Sequence, residues 1–104
     1  MNLNEYQTKV IDTWISNEHD LERIVFGICG ESGEIAEYFK KFYRGDFVTP
    51  DYTLIRKELG DVLYYLAMLC NQLGMKLEDV MQVNLNKLDD RKKRNKLKGS
   101  GDKR

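Results

Sequence analysis

Apolar residues recur every three or four positions along most of the chain, and nowhere do they alternate over a useful length. That periodicity restricts the fold to helices packed on helices. Leu3, Tyr6, Val10, Ile11 and Trp14 mark a first helix from about residue 4 to 17, followed by a junction at His19-Asp20 with Asp20 as N-cap. The second helix spans about 21–43, with Ile24, Ile28, Ile35, Phe39 and Phe42 as its stripe. Gly27, Gly30 and Gly33 cost helix stability there but would let another helix or a ligand approach closely. Arg44-Gly45-Asp46 closes the element as a turn. Thr49-Pro50 restarts helix by the cap-then-proline pattern. The third helix spans about 50–73 and stops at Gly74. A fourth starts near Leu77, carries Leu77, Met81, Leu85 and Leu88, and frays between Asp90 and Gly99. The short link between the second and third helices predicts an antiparallel hairpin. The expected class is all-α, a bundle of four main helices.

A chain of 104 residues with 41% apolar residues fits one domain with a modest core, so completion by homo-oligomerisation is expected. The formal net charge is zero, but it is unevenly spread. Residues 1–90 carry a net −7 and residues 91–104 a net +7. The acidic body argues against duplex DNA, whose backbone needs Lys and Arg across the contact surface. Residues 92–104 read as a flexible basic tail. Cys29 and Cys70 lack CxxC spacing and read as small buried hydrophobes. Neither a leader nor a membrane-spanning run is visible, so a reducing, cytoplasmic setting is expected.

The chemistry lies in two acid pairs, Glu31 with Glu34 and Glu58 with Asp61, each spaced i,i+3 on a helix. At about 100° per residue, Glu31 falls within roughly 40° of Ile24, Ile35 and Phe42, and Glu58 within roughly 40° of Val62, Tyr65 and Leu69. Each helix thus offers a central acid on its apolar side and an edge acid three residues later. Carboxylates so placed need a partner, a proton or a metal. Four oxygen donors without a His or Cys cluster favour Mg²⁺, with Mn²⁺ as substitute, and a phosphate-bearing substrate. The plainer reading is a solvated or inter-subunit salt-bridged face. A di-iron bundle would need Glu-x-x-His, and the one histidine, His19, is far along the chain from both pairs.

On the fourth helix Asn84, Lys87 and Arg91 offer an amide, an ammonium and a guanidinium on adjoining faces, enough to hold a polyphosphate. The alternative is surface pairing such as Lys87 with Asp90. Lys40, Lys41 and Arg44 add positive charge after the first acid pair. Trp14 could stack on a nucleobase and His19 could contact a base edge or a phosphate, although core packing and a polar junction also account for them.

The segments GICGESGEIAEYFKKFYRG and IRKELGDVLYYLAMLCNQLGMKLEDVMQVNLNKLDDR resemble the MazG-like nucleoside triphosphate pyrophosphohydrolases, all-α enzymes. The resemblance rests on E-x-x-E, 23 intervening residues and E-x-x-D, on the flanking words, and on N-x-x-K-L-x-x-R at Asn84–Arg91. It implies cleavage of a (d)NTP between the α and β phosphates to a monophosphate and pyrophosphate. It further implies Mg²⁺ held by Glu31, Glu34, Glu58 and Asp61, phosphates held by Asn84, Lys87 and Arg91, and a homodimer or homotetramer with sites near the subunit interface. Residues 1–91 would be the catalytic domain. One motif acid, Glu34 or Glu31, would help take the proton of the attacking water. After Arg91 the chain departs from the family, with KKRNKLKGSGDKR where an aromatic closing segment is common. Two other classes compete: a non-catalytic helical interaction or regulatory protein, and a nucleic-acid-binding module that uses the basic tail.

Overall fold

The computed structural model describes residues 1–104 and contains four helices, α1 Leu3–Ile11, α2 Asp20–Arg44, α3 Tyr52–Gln72 and α4 Leu77–Lys93, without a strand. The all-α expectation holds. No helix is long and apolar enough to cross a membrane.

α1 stops well short of residue 17. The amides of Thr13 and Trp14 bond back to Val10 and Ile11 as tight turns, and the Thr13 hydroxyl takes the Val10 carbonyl at 2.7 Å. Local side-chain bonds of this kind compete with continued helix. Asp20 does not cap α2: His19 is the N-cap, and Asp20 is the first helical residue. Its carboxylate instead ties the loop before it, accepting from the Asn17 amide at 2.8 Å and the Ser16 hydroxyl at 2.5 Å.

α2 and α3 form the antiparallel hairpin. Gly27 lies against Tyr65, and Glu34 approaches Glu58 further toward the closed end. A Cβ on Gly27 would fall 2.3 Å from the Tyr65 ring, so glycine sets how closely the two helices pack there. Gly30 and Gly33 meet nothing within 4 Å, so close approach occurs at one of the three expected glycines. At the closed end Phe47 packs on Tyr38 and Phe42, with ring centroids 5.0 and 5.7 Å apart. Gly45 takes the left-handed φ of 94° that ends α2, and Arg44 pairs with Asp46. The cap of α3 is Asp51 rather than Thr49. Its Oδ1 accepts from the amides of Thr53 at 3.0 Å and Leu54 at 3.2 Å, the stronger way to satisfy a helix start. Pro50 lies just before that cap.

Gly74, at φ 71°, ends the α3 segment as its spacing suggests, and the Met75 amide returns to the Cys70 carbonyl at 2.8 Å. α1 then secures the turn into α4. Buried Gln7 donates to the Met75 carbonyl at 2.9 Å and accepts from the Leu77 amide at 2.7 Å. Ala67, Cys70 and Leu77 form the small core here, packed by Leu3, Tyr6 and Val10. Cys70 is buried as expected; Cys29 is exposed, on a helix that packs against α3 alone. α4 packs on α1 and α3 and touches α2 nowhere. Only seven residues are buried, while Phe26 and Val83 are 70% and 68% exposed.

Candidate metal centre

One turn from the Gly27–Tyr65 contact, the hairpin brings Glu31 and Glu34 of α2 to Glu58 of α3, with one carboxylate oxygen from each within 4.8 Å of the others. Glu31 and Glu58 are half-buried and Glu34 is exposed, matching their central and edge positions on the helices. Oε2 of Glu31 and Oε2 of Glu58 are buried and have no hydrogen-bond partner. Burial pushes the Glu31 carboxyl above its ordinary pKa, reinforced by the charges of Glu34 and Asp61. Glu58 is raised first by its hydrogen-bonding contact with Glu34, then by desolvation. Both shifts follow from like charges crowded together and partly removed from water. Asp61, the fourth expected acid, lies outside the tight cluster but near enough for its charge to act on Glu31, Glu58 and Tyr6.

The donor set is oxygen only and partly buried, and Oε2 of Glu31 and of Glu58 lack hydrogen-bond partners, which fits a hard divalent cation. A shallow cleft of about 250 Å³ opens beside it, lined by Glu34, Glu37, Tyr38, Lys41, Leu54 and Glu58. Lys41 thus brings a positive charge to the cleft. Lys40 is turned to Glu37 at 2.9 Å, which Lys41 also meets at 4.0 Å.

The remaining sequence-derived candidates fall in three places. Asn84, Lys87 and Arg91 lie on α4, and none of them lines the acid cleft of the same chain. Lys87 and the buried Arg91 both pair with Asp102. Trp14 is half-buried just beyond α1, next to Tyr64 and Tyr65 at centroid distances of 6.5 and 6.4 Å. Its Nε1 is buried without a partner. Since Tyr65 rests on Gly27, one turn before Glu31, this aromatic group adjoins the acids. His19 is exposed at the head of α2 and bonds Glu22 at 2.9 Å. Sequence reasoning missed Arg23, whose guanidinium covers Trp14 at 4.4 Å while bonding the Ile15 carbonyl. The contact forms only because residues 12–19 fold back as a loop, and no spacing rule signals it.

A helical hairpin that presses three carboxylates together, two of them with buried oxygens that lack hydrogen-bond partners, is a candidate centre for a divalent cation. The chain belongs to the MazG nucleotide pyrophosphohydrolase domain family, which matches residues 19–95. It is also 40% identical to the Gene 37 protein of Mycobacterium phage L5, over the full length of both chains. No solved structure gives a significant match.

Proposed function

We propose that the protein is a Mg²⁺-dependent pyrophosphohydrolase that cleaves a (d)NTP between the α and β phosphates, releasing the monophosphate and pyrophosphate. The observation that carries this reading is the pair of buried, partnerless oxygens on Glu31 and Glu58, beside Glu34 in the hairpin of a MazG family member. Glu31, Glu34, Glu58 and Asp61 would hold the metal, and Mn²⁺ could substitute. When bound, the cation offsets charge on the phosphoryl oxygens and makes a nearby water more acidic. Glu31 and Glu58 are fixed by helix packing and arrive preorganised. Glu34, the exposed member at the lip of the cleft, is best placed to take a proton from the attacking water. Lys41, two turns along α2 from Glu34 in the same cleft, would steady the substrate's charge.

Asn84, Lys87 and Arg91 would complete the phosphate site from a second copy of the chain, because they do not line the cleft of their own. The thin core and the large exposed apolar residues support a homodimer or homotetramer. The Trp14 neighbourhood is the proposed base pocket: the indole offers a stacking face and a free N–H, and Arg23 would yield to, or sandwich, the base. Residues 1–91 would then be the catalytic domain and 92–104 an appended basic segment.

Incubation with a panel of (d)NTPs and Mg²⁺, scored by phosphorus NMR, tests the reading. Monophosphate plus pyrophosphate is expected. Orthophosphate release would refute α–β cleavage, and absence of turnover on every triphosphate would refute the enzyme assignment.

A further inference from the structure

Beyond Asp90 the chain carries a single acid, Asp102, among basic residues. The structure puts that acid on the two cations of α4. α4 ends at Lys93, and Asn95 at φ 55° turns the chain back. Gly99 at φ 123° and Gly101 at φ 86° permit a second reversal that side chains would oppose. Arg104 holds the loop together through the carbonyls of Gly101 at 2.7 Å and Leu97 at 3.4 Å. Asp102 then meets Lys87 Nζ through its carboxylate at 2.6 Å and Arg91 Nη2 through its main-chain oxygen at 2.6 Å. The carboxylate is also 3.5 Å from Arg91, which is 5% exposed and has no other acid partner.

We propose that residues 95–104 are an autoinhibitory strap, in which Asp102 stands where an anionic oxygen of a polyphosphate would bind. The inference rests on the reading that Lys87 and Arg91 hold phosphate. A phosphoryl oxygen asks for the same donors that the strap supplies with oxygen: one ammonium and one edge of a guanidinium. Substrate and strap therefore compete for one pair of cations. Asp102 itself is 77% exposed on its side chain, so it can leave without uncovering a core. Its bond with Lys87, the main reason its carboxyl lies below the usual range, is the one that the ligand would replace. The apparent affinity for phosphate is that of the open form multiplied by the fraction of molecules that are open.

The test is calorimetric titration of the metal-free full chain with inorganic tripolyphosphate, for wild type, Asp102→Asn, Lys87→Met and Glu5→Gln. Asp102→Asn keeps shape and removes the charge, and it should tighten binding by about fivefold or more. Lys87→Met should weaken binding. Glu5→Gln removes one exposed negative charge outside the strap and should leave affinity unchanged. An unchanged or weaker affinity in Asp102→Asn, with Lys87→Met impaired, would overturn the strap and leave the phosphate reading standing. Equal tightening in Glu5→Gln would reduce the effect to net charge and overturn the strap as well. Wild-type affinity in Lys87→Met would overturn the phosphate reading, and the strap with it.

Discussion

On the α2–α3 hairpin three carboxylates crowd together, whereas on α4 two cations close on a carboxylate from their own tail. The difference lies in what holds each region. The hairpin is fixed by long antiparallel packing and by Gly27, so its charges cannot drift apart to relieve themselves. α4 packs only on α1 and α3, and its two cations pair with the one acid that follows them in the chain. A rigid surplus of one sign is a site prepared for a ligand. A surplus met by an exposed carboxylate of the strap is, on the proposal above, a site that can be opened.

The sharpest break in the comparison comes from Glu58→Gln. Direct loss of a ligand should lower hydrolysis by at least about a hundredfold, more than loss of a supporting residue usually costs. The same variant without metal should melt higher than wild type, because a like charge leaves the cluster. Steady-state kinetics and thermal melts read the two effects, which have opposite signs. A purely structural glutamate would lose stability instead.

Gln7→Ala should act on the other region. It leaves the Met75 carbonyl and the Leu77 amide without their partner, at a cost of about 1–3 kcal/mol. Amide exchange should quicken around residues 75–80 first, ahead of the hairpin. Gly27→Ala tests the hairpin in turn. Alanine gains up to about 1 kcal/mol of helix propensity. The clash with Tyr65 should outweigh it, for a net loss of about 1–2 kcal/mol in urea denaturation. Gly30→Ala, with no neighbour within 4 Å, should be neutral or stabilising in the same assay.

The smallest effect concerns pH. The raised carboxyls of Glu31 and Glu58 contribute stability that is complete below the ordinary carboxylate pKa of about 4.3 and is lost as pH rises through their raised values. A bound divalent cation would offset what ionisation removes. Saturating Mg²⁺ should therefore raise the melting temperature by a few degrees near neutrality, and the gain should vanish below about pH 4.5 as protons displace the ion. A Mg²⁺ gain that persists in acid would place the ion elsewhere.

Helix count, the hairpin, the Gly74 stop and the central-versus-edge placement of Glu31 and Glu34 were legible from the sequence, because 3.6-residue periodicity encodes faces directly. The end of α1 and the cap of α3 were not. Both are decided by short side-chain bonds at Thr13, Asp20 and Asp51 that compete with equally plausible neighbours. The grouping of Lys87 and Arg91 on adjoining faces of α4 was legible too, but Asp102 was not. It reaches them through two left-handed glycines, and periodicity says nothing about where such a segment returns.

Subunit complementation tests most directly the claim that the acids and the phosphate cations of one site come from different copies. Glu58→Gln and Lys87→Met would each be nearly inactive alone. Equal amounts unfolded and refolded together should regain about a quarter of wild-type activity, since half of the dimers are mixed and each mixed dimer assembles one intact site. Mixed dimers isolated by two tags and no more active than their parents would contradict the shared site.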